Sequence, residues 1–353
     1  LEVPTQRREC CHTGGSLAFG PDGNLFLSTG DNSNPFASDG FAPIDERPGR
    51  EPWDAQRSSA NTMDLRGKIL RIDPQPDGTY EIPEGNLFSE DEEGRPEIYV
   101  MGNRNPYRIS VDQETGWLYW GEVGPDAGAA DEDRGPAGHD ELNQAKEAGN
   151  YGWPLFVGDN KAYHEYNFET EESGAAFDPE EPHNRSVNNT GAEVLPPAQP
   201  ALIWYPYGPS DEFPELGTGG RTAMAGPVYH YDESTVGPHG LPREYDGSLF
   251  FYEWARSYFK EIELDREGNL SAIKPFLDNI SVERPMEMEV GPDGRLYVIE
   301  WGPNFWGMTN EARILRIDYY PSSTRPPAAD IQASPSAGSV PLTDHSSADP
   351  PRL

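Results

Sequence analysis

Gly20-Pro21-Asp22-Gly23-Asn24-Leu25-Phe26-Leu27 and, near the other end of the chain, Gly291-Pro292-Asp293-Gly294-Arg295-Leu296-Tyr297-Val298 are two copies of one pattern. Gln113-Glu114-Thr115-Gly116-Trp117-Leu118-Tyr119-Trp120 and Glu244-Tyr245-Asp246-Gly247-Ser248-Leu249-Phe250-Phe251 are weaker copies. Each places a glycine-containing turn before an apolar strand of about five residues. Asp-Gly favours hairpins because both central positions tolerate positive φ. A second element also recurs: Lys68-Ile69-Leu70-Arg71-Ile72-Asp73 matches Arg313-Ile314-Leu315-Arg316-Ile317-Asp318, and Phe259-Lys260-Glu261-Ile262-Glu263-Leu264-Asp265 is a looser copy. Its alternation of charged and apolar residues predicts an outer strand half open to water. Hairpins repeated at uneven spacing predict an all-β β-propeller. Residues 31–65 and 155–220, rich in Asn, Asp, Pro and Gly, read as long loop insertions, the kind of segment that carries function at a propeller mouth. Residues 139–149 are expected to form a short helical turn. Residues 1–320 make the propeller domain, and residues 321–353, rich in Pro, Ser and Ala, a linker or the start of another module.

The 353 residues include 61 acidic and 27 basic side chains, a net charge of -34. Such a field repels nucleic-acid phosphates and anionic membrane surfaces. It suits Ca²⁺, a neutral substrate and solubility in a salty, halophilic setting. With 37 Gly and 36 Pro, the chain is built for turns and short strands. No apolar run reaches the ~20 residues that span a bilayer, so no membrane insertion is expected. The adjacent Cys10 and Cys11 cannot join distant segments; they form either a vicinal disulfide or two buried thiols, with the thiols slightly favoured.

The seven histidines show no metal-binding spacing, and there is no nucleophile elbow or phosphate loop. His12 precedes the first repeat strand and Asp31 follows it. A carboxylate that orients an imidazole makes a general base, provided a loop folds back to join the two ends. Arg104, in Met101-Gly102-Asn103-Arg104-Asn105-Pro106-Tyr107, is either a surface cation or the partner of an anion. Gly121-Glu122-Val123-Gly124-Pro125-Asp126, with the acids Asp131, Glu132, Asp133, Asp140 and Glu141 after it, offers carbonyl and carboxylate oxygens to Ca²⁺, or else is solvated surface.

Taken together, His12-Thr13-Gly14-Gly15-Ser16-Leu17 through Gly30-Asp31, Gly102-Asn103-Arg104-Asn105-Pro106, Gly124-Pro125 with Asp140-Glu141-Leu142-Asn143, Gly149-Asn150-Tyr151-Gly152-Trp153-Pro154, and Arg284 ahead of Gly291-Pro292-Asp293-Gly294 resemble the soluble pyrroloquinoline quinone (PQQ) dependent sugar dehydrogenases, the glucose/sorbosone dehydrogenase family. They occur in that family's order over roughly residues 10–320. The resemblance implies a six-bladed propeller, entered here at about its second blade, that oxidises an aldose to a lactone by hydride transfer to PQQ. By the same resemblance His12 is the base, Asp31 its orienting carboxylate and Arg104 the cation over the quinone. Arg104, Asn105 and Arg284 contact the cofactor. The Gly124 and Pro125 carbonyls hold the cofactor's Ca²⁺, and Asp140 and Glu141 lie near a structural Ca²⁺. The substrate is a small sugar and the final electron acceptor an external cytochrome or quinone-type carrier. The implied location is periplasmic or extracellular.

Three positions depart from the family pattern. Met286 replaces a second Arg, Tyr107 stands where glucose-oxidising members have Gln, and the candidates for the cofactor-binding Lys are Arg221 and Arg256. Two other readings use the same scaffold: a non-catalytic propeller that binds carbohydrate or protein, and a Ca²⁺-dependent lactone hydrolase. The stretch from Pro326 to Thr343 resembles the first strand of a PKD-type immunoglobulin-like domain.

Overall fold

The computed structural model describes residues 1–6, 11–305, 307, 309–320, 331–333 and 342–344. Its first sheet runs β1 (Leu17–Phe19), β2 (Leu25–Thr29), β3 (Lys68–Pro74) and β5 (Ile98–Met101) in antiparallel order, with the short β4 (Tyr80–Glu81) beside β3 and β9 (Gly149–Asn150) parallel to β5. The second sheet is β6 (Pro106–Val111), β7 (Leu118–Glu122), β8 (Asp140–Ala145) and β14 (Ile203–Tyr205). Between β9 and β14 in sequence lie two hairpins, β10 (Phe156–Val157) with β11 (Lys161–Ala162), and β12 (His164–Asn167) with β13 (Glu172–Ala176). The third sheet is the meander β15 (Ala223–Val228), β16 (Leu249–Glu253), β17 (Tyr258–Leu264) and β18 (Leu270–Phe276), and the fourth is β19 (Pro285–Val290), β20 (Leu296–Glu300) and β21 (Arg313–Ile317). These four sheets are propeller blades. Their first strands adjoin one another, β1 and β15 both against β6, and β15 against β19. The described residues build four blades, two fewer than the six-bladed ring that the resemblance implies.

The repeats form as turn chemistry requires. Gly23 and Gly294 take φ of 85° and 75°, and each turn closes through N–H donation to Gly20 O at 3.0 Å and Gly291 O at 2.9 Å. The strands that follow, β2 and β20, are the second strands of blades one and four. Second strands lie between blade faces, so β7 and β16 are buried along their whole length. Tyr252, Phe250 and Leu296 belong to the core shared by blades three and four.

Four expectations are corrected. Residues 140–145 form strand β8, not a helical turn; burial on both faces removes the polar alternation that marks a strand. Of the three outer-strand copies, only β21 is open to water. In β3, covered by β5, Lys68 is fully buried and donates from Nζ to the carbonyls of Ser58, Ser59 and Arg66 at 2.7–2.9 Å. The 155–220 insertion is not plain loop; it supplies β10 to β14. The 31–65 insertion contains two 3-10 turns, Glu51–Trp53 and Ala55–Arg57, and no strand. At the C-terminus β22 (Ile331–Ala333) pairs with β23 (Leu342–Asp344), and the rest of the PKD-like stretch lies outside the described residues. Cys11 is disulfide-bonded, so the thiol reading does not hold for it; Cys10 lies outside the described residues.

Candidate active site at the blade corners

Each second strand ends in a corner, and the corner faces the loop that leads into its own blade's first strand. In blades two, three and four a glutamate closes the gap. Glu122 Oε1 accepts from the N–H groups of Arg104 and Asn105, both at 2.6 Å. Glu253 accepts from Thr222 N and Arg256 N. Glu300 accepts from Glu283 N at 2.8 Å. The leading loops therefore hold an arginine at each corner: Arg104, Arg221 and Arg284.

Blade one is different. Its second strand runs into Gly30-Asp31, and its leading loop carries His12. Cys11 and His12 adopt positive φ, 87° and 52°, which folds the loop back so that Asn32 N donates to His12 O at 2.9 Å. This brings His12 Nδ1 to 2.9 Å from Asp31 Oδ1. Asp31 is fully buried and saturated: Ser33 N reaches Oδ1 at 2.9 Å, and Ser33 Oγ and Trp153 Nε1 reach Oδ2 at 2.6 and 2.8 Å. Burial alone would raise the Asp31 carboxyl, but His12, Arg104 and Ser33 hold it below the usual carboxylate range. Burial and then Arg104 lower the proton affinity of His12, against the opposing pull of Asp31. The pair therefore rests as carboxylate and neutral imidazole. The carboxylate fixes the proton on Nδ1 and leaves the lone pair on Nε2.

Arg104 belongs to the same cluster. Its carbonyl accepts from Asp31 N at 2.8 Å, its Nη1 donates to Val123 O at 2.9 Å, and its Nη2 pairs with Asp126 at 3.2 Å. Its guanidinium lies 5.8 Å from the centroid of Trp153. Asn105 is adjacent, its Oδ1 accepting from Gly14 N at 3.1 Å. Beside it the amide of Asn103 is buried with neither polar atom hydrogen-bonded.

The other proposed residues are placed differently. Arg284 spends Nη1 on the carbonyls of Gly302 and Pro303 in the blade-four corner, at 3.0 and 2.5 Å. Asp140 accepts from Gly124 N and Ala223 N at 3.1 Å and faces Arg221 at 3.4 Å. Glu141 takes the opposite side of β8, where Asn143 and Gly158 N satisfy it, and burial pushes it up to about 7. The two acids do not converge. Among the described residues no group of three or more His, Cys, Asp or Glu side chains is arranged to hold a metal. Of the two stand-ins for the cofactor lysine, Arg256 is consumed knitting carbonyls of Pro206, Leu216, Gly217 and Gly220 together. Arg221 is buried, with Nη2 on Pro125 O at 2.6 Å. Trp153 and Ser33 received no role from the sequence; Trp153 stands inside the quoted Gly152-Trp153-Pro154 motif, which was the one available signal.

A family model described as Glucose / Sorbosone dehydrogenase matches residues 2–195. HIPL1 protein of Arabidopsis thaliana is 31% identical over 160 residues, 42% of this chain and 19% of that protein. Aldose sugar dehydrogenase YliI of Escherichia coli K12 is 31% identical over 145 residues, 41% of this chain and 29% of that protein. The chain thus spans under a third of the length of either relative. Among solved structures, an oxidoreductase of Thermus thermophilus, provisionally a glucose dehydrogenase, superposes with a TM-score of 0.53 at 24% identity, over 89% of this chain and 67% of that one. That likeness concerns the fold.

Proposed function

The chain belongs to the glucose/sorbosone dehydrogenase family, and from that premise we propose that it oxidises an aldose-type sugar at the anomeric carbon to the lactone, with PQQ as cofactor. The observation that carries the reading is the His12–Asp31 pair, locked by Trp153 and Ser33 beside the Arg104 guanidinium. A buried, neutral, oriented imidazole is what removal of a hydroxyl proton needs at neutral pH.

The donor set fits an anionic cofactor. Arg104 and Arg221 point guanidinium groups at the blade-two corner, and the amide of Asn103, the residue before Arg104, is buried and unpartnered. PQQ is a tricarboxylate, and Arg104, Asn105 and Arg284 are the residues proposed to hold it. When bound it supplies the two-electron acceptor for the anomeric hydride. The chain's own part is acid–base and electrostatic. His12 Nε2 takes the anomeric hydroxyl proton, and Asp31 stabilises the imidazolium that results. Arg104 offers positive charge where negative charge develops. His12 then releases the proton to water, and an external cytochrome or quinone-type carrier takes the electrons. Ca²⁺ does not fit the donor set as it stands, because a guanidinium occupies the Pro125 carbonyl. No helix among the described residues is long and apolar enough to cross a membrane; a periplasmic or extracellular location is part of the proposal.

The test is a PQQ titration of the full chain followed by absorbance, then addition of an aldose panel. Bleaching of the quinone by sugar in the wild type, lost by about 10²–10⁴-fold in rate in His12→Ala with PQQ affinity retained, is the expected result. A His12→Ala protein that keeps most of the rate removes His12 as base. Tight binding without reduction by any aldose moves the substrate elsewhere. Failure to bind PQQ leaves the non-catalytic propeller.

A further inference from the structure

We propose that Arg221 supplies, from blade three, the fixed positive charge under the cofactor site, and that it makes the site independent of divalent cations. The inference rests on the PQQ reading above and concerns how the charge of that anion is met.

Two carbonyls of the blade-two corner are already taken. Arg104 Nη1 donates to Val123 O at 2.9 Å and Arg221 Nη2 to Pro125 O at 2.6 Å. Backbone also crowds Pro125 O: a Cβ added to Gly138 would lie 1.7 Å from that oxygen. A carbonyl ligand to Ca²⁺ needs the ion at 2.3–2.6 Å, which is where the guanidinium stands. Like charge adds to the steric conflict.

Arg221 is built in and does not lie loosely in the channel. Its side chain is 1% exposed, stacks 3.8 Å from the centroid of Tyr207, and faces Asp140 Oδ1 at 3.4 Å. Tyr207 is tied in turn to Asp126 at 3.1 Å, the residue that pairs with Arg104. Nε and Nη1 of Arg221 are buried without a hydrogen-bond acceptor. With one carboxylate, Asp140, facing it at 3.4 Å and the Arg104 guanidinium across the corner, Arg221 adds fixed positive charge beneath that corner.

The experiment measures the affinity of the full chain for PQQ in excess EDTA and in millimolar Ca²⁺, alongside calorimetry with Ca²⁺ alone. Expected for the wild type are equal PQQ affinities within about twofold and no heat from Ca²⁺. Arg221→Met is expected to lose at least about tenfold in PQQ affinity in EDTA and to recover part of it with Ca²⁺. Arg221→Lys keeps the charge, guards against a folding defect in the Met variant, and is expected to stay insensitive to Ca²⁺. A purely structural role for Arg221 would lower the melting temperature without creating Ca²⁺ dependence, and would overturn the inference. Wild-type binding only with Ca²⁺ overturns it and leaves the PQQ reading intact. Binding in neither condition overturns both.

Discussion

In blade two the second strand ends Glu122-Val123-Gly124-Pro125, and in blade four it ends Glu300-Trp301-Gly302-Pro303. In both the glutamate closes the leading loop, and an arginine from that loop donates to the corner's own carbonyls: Arg104 to Val123, Arg284 to Gly302 and Pro303. The backbone device is therefore the same, and the surroundings are not. Arg104 is 4% exposed, under Trp153 of the Gly149-Asn150-Tyr151-Gly152-Trp153-Pro154 motif, and a second guanidinium crosses from blade three. Arg284 lies between Trp254 and Phe305, and Phe305 is 50% exposed. The comparison teaches that repetition sets where a cation sits, while the side chains packed over it decide whether water is kept away. The low-dielectric corner is the one in which a charge has chemical effect.

The comparison can be broken at several points. The largest effect is expected at blade one, the corner that replaces glutamate and arginine by Asp31 and His12: Asp31→Asn should cost about 10³–10⁴-fold in turnover by leaving the imidazole in the wrong tautomer. A near-normal rate would show that Trp153 and Ser33 orient His12 without the charge. The wild-type pH profile checks the same corner. Burial and Arg104 lower the His12 pKa, so the neutral base should persist below the usual 6.5, with kcat/KM falling only as pH drops through the lowered value. The imidazole's contribution to stability is lost in that same direction.

Next come Arg104→Met and Arg284→Met. The buried corner should lose about 10²-fold or more in PQQ affinity and the open one about tenfold; equal losses would mean that burial does not distinguish them. The smallest contrast is between the glutamates. Glu253 uses both oxygens and Glu122 only Oε1, its Oε2 being buried and unpartnered. Glu253→Gln should cost ~1–3 kcal/mol and Glu122→Gln close to nothing at pH 5. Burial pushes Glu253 up to about 7 and raises Glu122 well above its ordinary value. Both carboxyls bind their protons more tightly when folded. Glu253's contribution to stability therefore declines as pH rises from 4.5 through about 7 and Glu122's as pH rises above 4.5, so Glu122→Gln should be the more stable protein at pH 8. Melting temperatures at the two pH values check this.

The hairpins were legible because their signals are local: an Asp-Gly turn and five residues after it decide the structure. His12, Asp31 and Arg104 were legible through motif resemblance, and the loop that joins them showed no sign in spacing, since it depends on left-handed backbone at Cys11 and His12. β8 was misread because burial on both faces erases alternation. The contacts that make the site were least legible. Trp153 and Asp31 are 122 residues apart, and Arg221 and Pro125 are 96 apart. Such pairs are set by how blades meet, and no local pattern encodes that meeting.

Lys68 holds three carbonyls of the 58–66 loop from inside blade one. Burial brings its amine down to about 7, while the ammonium that donates to all three carbonyls must shed a proton before it can act as a nucleophile. Its reactivity and its accessibility are thus opposed: the amine best suited to attack an acylating reagent is sealed away. Any opening of the loop breaks that seal. The rate at which Lys68 is acylated in the native protein, read by peptide mass mapping, becomes a clock for motion of the segment that borders Asp31, with no label or substitution introduced.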